Sequence, residues 1–201
     1  MNYIDFRVEQ NKLLPIFIKL DTITILVVGG GNVALEKMTG IKKADPLARV
    51  KIVGKEIIDE IIELIKDMPN IVIENKEFEI SDLSSINLVI SATDDRNTQI
   101  QIKKACEERR ILCNVADTPE LCDFYLSSVV QKGNLKIAIS TNGKSPTIAK
   151  RIKEVLEDVF PDEIDQVLQN INIIRKKLSG DFSDKVKKLN EITKILIEKG
   201  P

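Results

Sequence analysis

The sequence contains no histidine. That absence removes the commonest general base, the commonest metal ligand and every Ser–His or Cys–His nucleophile system. Acid–base chemistry must fall to carboxylates, lysines, tyrosines or thiols. Cysteine is scarce too. Cys106, Cys113 and Cys122 are odd in number and form no C-x-x-C pair, which reads as reduced thiols. No apolar run approaches the ~18 residues that a membrane span requires. The opening residues show no basic-then-apolar export pattern, because Asp5 and Glu9 interrupt it. These absences lead us to expect a cytoplasmic chain without a membrane partner. An excess of one charge sign is also missing. With 30 basic against 31 acidic residues no field gathers a polyanion, and lysines alternating with acids read as solvated helix faces. Nucleic acid is therefore not an expected partner.

What the sequence does contain is an ordinary apolar content of 43% in 201 residues, enough for one good core and a smaller appendage. Short β-branched runs alternate with amphipathic stretches over residues 1–116, the pattern of βαβ units on a parallel sheet. Strands are expected at Pro15–Leu20, Thr24–Val28, Val50–Val53, Ile71–Ile73, Leu88–Ser91 and Ile111–Val115, and helices at Val33–Ala44, Ile57–Lys66 and Asn97–Arg109. The Asp45-Pro46 pair should stop the first helix near Ala44. Residues 117–145 form a second zone. There Phe124–Val130 and Leu135–Ser140 flank Gln131-Lys132-Gly133-Asn134 as a hairpin. The third zone, 146–201, is helical: Ser145-Pro146 opens it, Pro161 and Gly180 punctuate it, and helices are expected near 147–159, 162–178 and 184–198. The fold class is α/β, with a Rossmann-type sheet domain followed by a small hairpin region and a helical domain.

One motif carries chemistry. The apolar strand Thr22–Val28 runs straight into Gly29-Gly30-Gly31-Asn32-Val33-Ala34, and a helical pattern follows. Strand, turn and helix give G-x-G-x-x-A the context that makes it a dinucleotide fingerprint. Gly29 permits the tight turn, Gly31 lets the backbone approach a pyrophosphate, and Ala34 allows close helix–strand packing. Asn32 and Val33, opening the helix, offer N–H groups and the positive end of its dipole. At the end of the second strand Glu56 is a candidate acceptor for a ribose 2′-hydroxyl, while Lys55 is equally placed for a 2′-phosphate; the preference leans to NAD. Thr93 and Asp94, past the fourth strand, face the expected ligand crevice, where Asp94 or Asp95 also serves as a helix cap.

Four ordered motifs now resemble one family. Gly29-Gly30-Gly31-x-Val33-Ala34-x-x-Lys37, then Ala92-Thr93-Asp94-Asp95, then Cys113-Asn114-Val115-x-Asp117-x-Pro119, then Ser140-x-x-Gly143-x-Ser145-Pro146 look like those of the siroheme-synthesis precorrin-2 dehydrogenases, some of which are also sirohydrochlorin ferrochelatases. The resemblance covers about residues 13 to 160. It implies NAD-dependent oxidation of precorrin-2 to sirohydrochlorin, with Fe²⁺ a substrate in members that go on to insert it, and no resident metal. It further implies a homodimer built through the hairpin region and a helical domain that closes over the substrate. By the same resemblance Asp117 is the catalytic carboxylate, and its place just past the fifth parallel strand agrees; the alternative is an Asp-x-Pro turn residue. Thr141, Lys144 and Ser145 are candidate contacts for the carboxylates of the tetrapyrrole. The competing function is a non-catalytic NAD(H)-sensing Rossmann dimer, which would want an effector module that the mixed-charge C-terminal helices do not supply.

Overall fold

β-Branched and aliphatic residues buried on both faces make the central strand, β1 (Thr24–Val28). In the computed structural model, which describes residues 11–179 and 181–193, it stands in a five-stranded parallel sheet. The other strands are β2 (Arg49–Gly54), β3 (Ile71–Asn75), β4 (Leu88–Ser91) and β5 (Leu112–Val115), in the order β3-β2-β1-β4-β5. The alternation of side chains serves two cores. Ile25, Val27, Ile52 and Ile90 pack with Ala34, Met38 and Ile41 of α1 (Asn32–Ala44) and with Ile61 of α2 (Asp59–Leu64). Leu26, Val28, Val53 and Val89 pack with Ile102, Ala105 and Cys106 of α3 (Arg96–Arg109). A parallel sheet covered on both faces needs such unbroken apolar runs. Strand order reverses between β1 and β4, and the crevice at their carboxyl ends is where ligands bind in open α/β sheets.

Helix α1 ends at Ala44 as Asp45-Pro46 demands, with Asp45 extended at φ −160°. Two expected elements differ. The helix expected from Ile57 begins only at Asp59, because the chain before it is held extended: the Ile58 N–H donates to the Gly30 carbonyl at 3.0 Å. The strand expected at Pro15–Leu20 is absent. Its residues are irregular up to a 3₁₀ turn at Leu20–Thr22, and Ile16 and Phe17 are exposed. The run directly precedes β1, whose two edges β2 and β4 already fill, so it finds no strand edge beside it.

Leu14–Leu126 form one compact unit, and the described residues on either side of that span, 11–13 and those from Ser127 onward, form the other. Residues 117–126, which the sequence pattern assigns to the hairpin region, belong with the sheet. The Asp123 N–H donates to the Cys113 carbonyl (2.8 Å), the Asp123 carboxylate accepts from the Cys113 N–H (2.9 Å), and Asn114 Nδ2 donates to the Phe124 carbonyl (2.8 Å). The strand expected from Phe124 therefore starts at Ser128. In the second unit β6 (Ser128–Lys132) and β7 (Leu135–Ile139) pair antiparallel, with Gly133 supplying the positive φ of a two-residue loop. Helices α4 (Pro146–Val159), α5 (Ile164–Lys177) and α6 (Phe182–Thr193) follow. Gly180 and the expected helix end at 194–198 lie outside the described residues.

One buried carboxylate fastens the β2–β3 edge. Asp82 accepts from Lys51 of β2 and from Lys76, each at 2.9 Å, and from the Glu79 N–H at 2.8 Å. Burial pushes its carboxyl upward, but the hydrogen bonds from Lys76, the Glu79 amide and Lys51 outweigh burial and hold it below the usual carboxylate range. A depressed folded-state pKa stabilises above the unfolded value, about 3.9 for Asp, and that stabilisation is lost as pH falls through the folded value. Asp82→Ala should cost roughly 1–3 kcal/mol in urea unfolding at pH 7, and the gap to the parent protein should narrow below about pH 4. A gap independent of pH would exclude the ion-pair account.

Candidate dinucleotide-binding site

The turn after β1 is a close approach of three main-chain segments. Gly29 has φ +119°, its N–H donates to the Val53 carbonyl at 2.8 Å, and a Cβ there would lie 2.5 Å from the Ala92 oxygen beyond β4. A Cβ on Gly30 would lie 2.0 Å from the Glu56 carbonyl oxygen beyond β2. The first two glycines are therefore required by the fold itself. Gly31 is not, since a Cβ there would meet nothing within 4 Å. Gly31 occupies the N-cap of α1 and brings no capping side chain, so the amides of Asn32 and Val33 head a thirteen-residue helix without one. In the same sheet domain Asp95 caps α3 by accepting from the Thr98 N–H (3.0 Å), and in the second unit Ser145 caps α4 by accepting from the Ile148 N–H (3.2 Å), while α5, like α1, starts without a side-chain cap. Open amides, a bare approach and an aligned dipole are what a diphosphate needs, and the residues present fit it.

Around this turn the strand exits bring further groups. β2 ends in buried Gly54, followed by exposed Lys55 and Glu56. Lys55 Nζ lies 2.8 Å from the carboxylate of Glu77, beyond β3, and this hydrogen bond raises the pKa of the lysine. From β4 the chain passes half-buried Thr93 and exposed Asp94 before Asp95 turns into the helix. The hydroxyl and the N–H of Thr98 hold the Asp95 carboxyl below its usual range, so of the two acids Asp95 is the helix cap. Asp117, exposed just past β5, has a left-handed backbone at φ +57°. Gly29, Gly31, Asn32, Val33, Lys55, Glu56, Thr93, Asp94 and Asp117 thus share the carboxyl edge of one sheet.

Thr141, Lys144 and Ser145 belong to the second unit. They form one folded loop: the Ser145 N–H donates to Thr141 Oγ1 (3.2 Å), which donates to the Ser145 carbonyl (3.1 Å), and the Lys144 N–H donates to the Thr141 carbonyl (3.0 Å). Asn142 (φ +55°) and Gly143 (φ +73°) complete the reversal before α4.

Two things escaped the sequence reading. Gly30 has a role equal to that of Gly29, visible only when the β2 exit is seen lying on it. Gln99 is buried inside α3 and bonds Thr93 and Thr118. Its signal was present, since a polar residue at position 99 lies on the helix face of Ile102 and Cys106 at spacings of three and seven.

Comparison with known proteins agrees with this geometry. The family of NAD(P)-binding domains matches residues 16–128, more than half of the chain, and the family of the sirohaem biosynthesis protein central region matches residues 132–158. The siroheme synthase of Ruthia magnifica subsp. Calyptogena magnifica is 35% identical over 174 residues, covering 87% of this chain and 34% of that protein. The siroheme synthase of Thioalkalivibrio sulfidiphilus is 34% identical over 175 residues, covering 85% and 34%. This chain spans about a third of the length of these relatives. Among solved structures, that of SirC, a precorrin-2 dehydrogenase, superposes with a TM-score of 0.72 at 26% identity, covering 90% of this chain and 89% of that one. Its sheet order, its open glycine turn and its sequence all say the same: this chain belongs to the family of NAD(P)-binding domains and is a relative of the siroheme synthases.

Proposed function

We propose that this chain is a precorrin-2 dehydrogenase of siroheme biosynthesis, a cytoplasmic homodimer that oxidises precorrin-2 to sirohydrochlorin with NAD. The observation that carries the reading is the uncapped start of α1 beside a glycine with open space above it, in a chain whose length and fold match those of a precorrin-2 dehydrogenase. Gly29, Gly31, Asn32 and Val33 would hold the diphosphate, and Thr93 and Asp94 would line the nicotinamide side of the crevice. NAD rather than NADP is supported by the state of Lys55: Glu77 already neutralises it, and Glu56 and Glu77 make the ribose end unfavourable to a 2′-phosphate. When bound, the nicotinamide supplies the acceptor for a hydride leaving the macrocycle.

The proton that leaves with that hydride needs a base. With no histidine in the chain, Asp117 is the carboxylate for the task, carried past the end of β5 on the crevice side of the sheet. Where Fe²⁺ is a further substrate, the same carboxylate would accept the pyrrole N–H protons displaced as the metal enters. Thr141, Lys144 and Ser145 offer a hydroxyl, a cation and a helix start to the substrate's carboxylates. Homodimer formation through the hairpin region is supported by an exposed stripe on α4, the helix packed on that hairpin: Ile148, Ile152, Val155 and Val159 are 55%, 40%, 59% and 63% exposed at spacings of four, three and four. Such a seam suits a second copy of the same helix.

Anaerobic incubation with precorrin-2 and NAD should yield NADH and the sirohydrochlorin spectrum; NADH binding without turnover would favour the sensor reading. Gly31→Asp should fold, since its side chain enters open space, yet lose NAD affinity about 100-fold through repulsion at the diphosphate. Parallel titrations of the parent protein should give NAD a lower Kd than NADP. Undiminished affinity in Gly31→Asp would remove the site. Asp117→Ala should bind NAD normally and turn over about 10²–10⁴ times more slowly; full activity would make Asp117 a turn residue. Val155→Asp should shift the dimer to monomer in light scattering, and a dimer that persists would move the interface off α4.

A further inference from the structure

Asp117 is held where it is by a buried relay that also holds the cofactor-side loop. Its left-handed backbone costs a non-glycine residue about 1–2 kcal/mol, and such conformations persist only where the surroundings over-determine them. Both flanks are pinned here. The Ala116 N–H donates to the Ser91 carbonyl at 2.9 Å and the Thr118 N–H to the Val115 carbonyl at 3.3 Å. Thr118 is only 7% exposed, and its hydroxyl donates to Gln99 Oε1 at 3.2 Å. Gln99, 6% exposed, donates through Nε2 to the Thr93 carbonyl at 2.8 Å. The amide's orientation is unambiguous, since a carbonyl can only accept and Nε2 must face Thr93. One side chain thus joins the β4 exit, which carries Thr93 and Asp94, to the β5 exit, which carries Asp117.

Glycine would take the conformation of residue 117 without cost, yet an exposed carboxylate stands there, at the apex of a turn whose next residue is buried and hydrogen-bonded. We propose that Gln99 and Thr118 are positioning residues that set the Asp117 carboxylate against the cofactor-side loop. The proposal rests on the reading of Asp117 as the base. Severing the Thr118 bond frees only the Asp117 turn. Removing the Gln99 amide frees both loops, so the two substitutions have different signatures.

The test compares kcat for precorrin-2 oxidation at saturating NAD with the Kd for NADH, each on folded protein. Thr118→Val, nearly isosteric but without the hydroxyl, should lower kcat about tenfold or more while the Kd stays within about twofold. Thr118→Ser, which keeps the hydroxyl, should restore most of the rate. Gln99→Leu should lower kcat similarly and weaken NADH about fivefold, because the Thr93 carbonyl loses its donor. Should Thr118→Val fail to fold, Gln99→Asn, one methylene short of both partners, carries the same expectation as Gln99→Leu. Folded Thr118→Val with kcat within about twofold of the parent, beside a slow Asp117→Ala, overturns the positioning role and leaves the base intact. Full activity in Asp117→Ala overturns both.

Discussion

Everything at the carboxyl edge of this sheet depends on main chain meeting main chain at Gly29 and Gly30. One glycine lies against the carbonyl that follows β4, the other against the carbonyl that follows β2, and the hydrogen bonds Gly29 N–H to Val53 and Ile58 N–H to Gly30 close the triangle. No side chain takes part. The path of three loops is consequently fixed by backbone sterics, and the residues those loops carry can serve chemistry rather than packing. A Cβ at either glycine would drive the β2 or β4 exit outward by an ångström or more, and with it Lys55, Glu56, Thr93 and Asp94.

The rigidity of the edge is distributed between two kinds of interaction. Toward β3 it is electrostatic: Asp82, buried and fed by two lysines and an amide, ties the end of β3 to the 3₁₀ turn that follows, and so steadies the segment bearing Glu77. Toward β5 a thiol network stands beside the Asp123 carboxylate, which pairs with Lys103. The Cys122 thiol, its pKa raised by burial, donates to the Val115 carbonyl (3.1 Å) with the Thr118 carbonyl also near at 3.4 Å, while the Val115 N–H donates to its sulfur (3.3 Å). The Asp82 clamp weakens in acid.

How much of this was legible in the sequence follows from the range of the forces involved. The bounds of β4 are legible because Leu88–Ser91 is buried on both faces, apolar through Ile90 and opened by polar Asn87, and Asp45-Pro46 announces the end of α1 through a local clash. Gly29 and Gly31 fall in the turn between β1 and α1, legible from their spacing within a strand–turn–helix pattern. The misreadings share a cause. Pro15–Leu20 has the composition of a strand, but whether a partner edge exists beside it is a property of the sheet. The late start of α2 depends on Gly30, and the extra residues of the sheet unit depend on Asp123 reaching back to Cys113. Each is a tertiary contact between segments whose local propensities say something else. Gln99 is the instructive case: a polar residue on an apolar helix face was visible, but the two loops it joins were not.

The tip of the hairpin has its own consequence. Asp165, at the start of α5, accepts from the Asn134 N–H (2.7 Å) and from Asn134 Nδ2 (2.8 Å), and a side chain on Gly133 would collide with it. The β6–β7 loop is thus locked by a residue 31 positions further along the chain. During synthesis the hairpin emerges from the ribosome well before its lock does, so the two strands must wait as a marginal pair until the helix arrives.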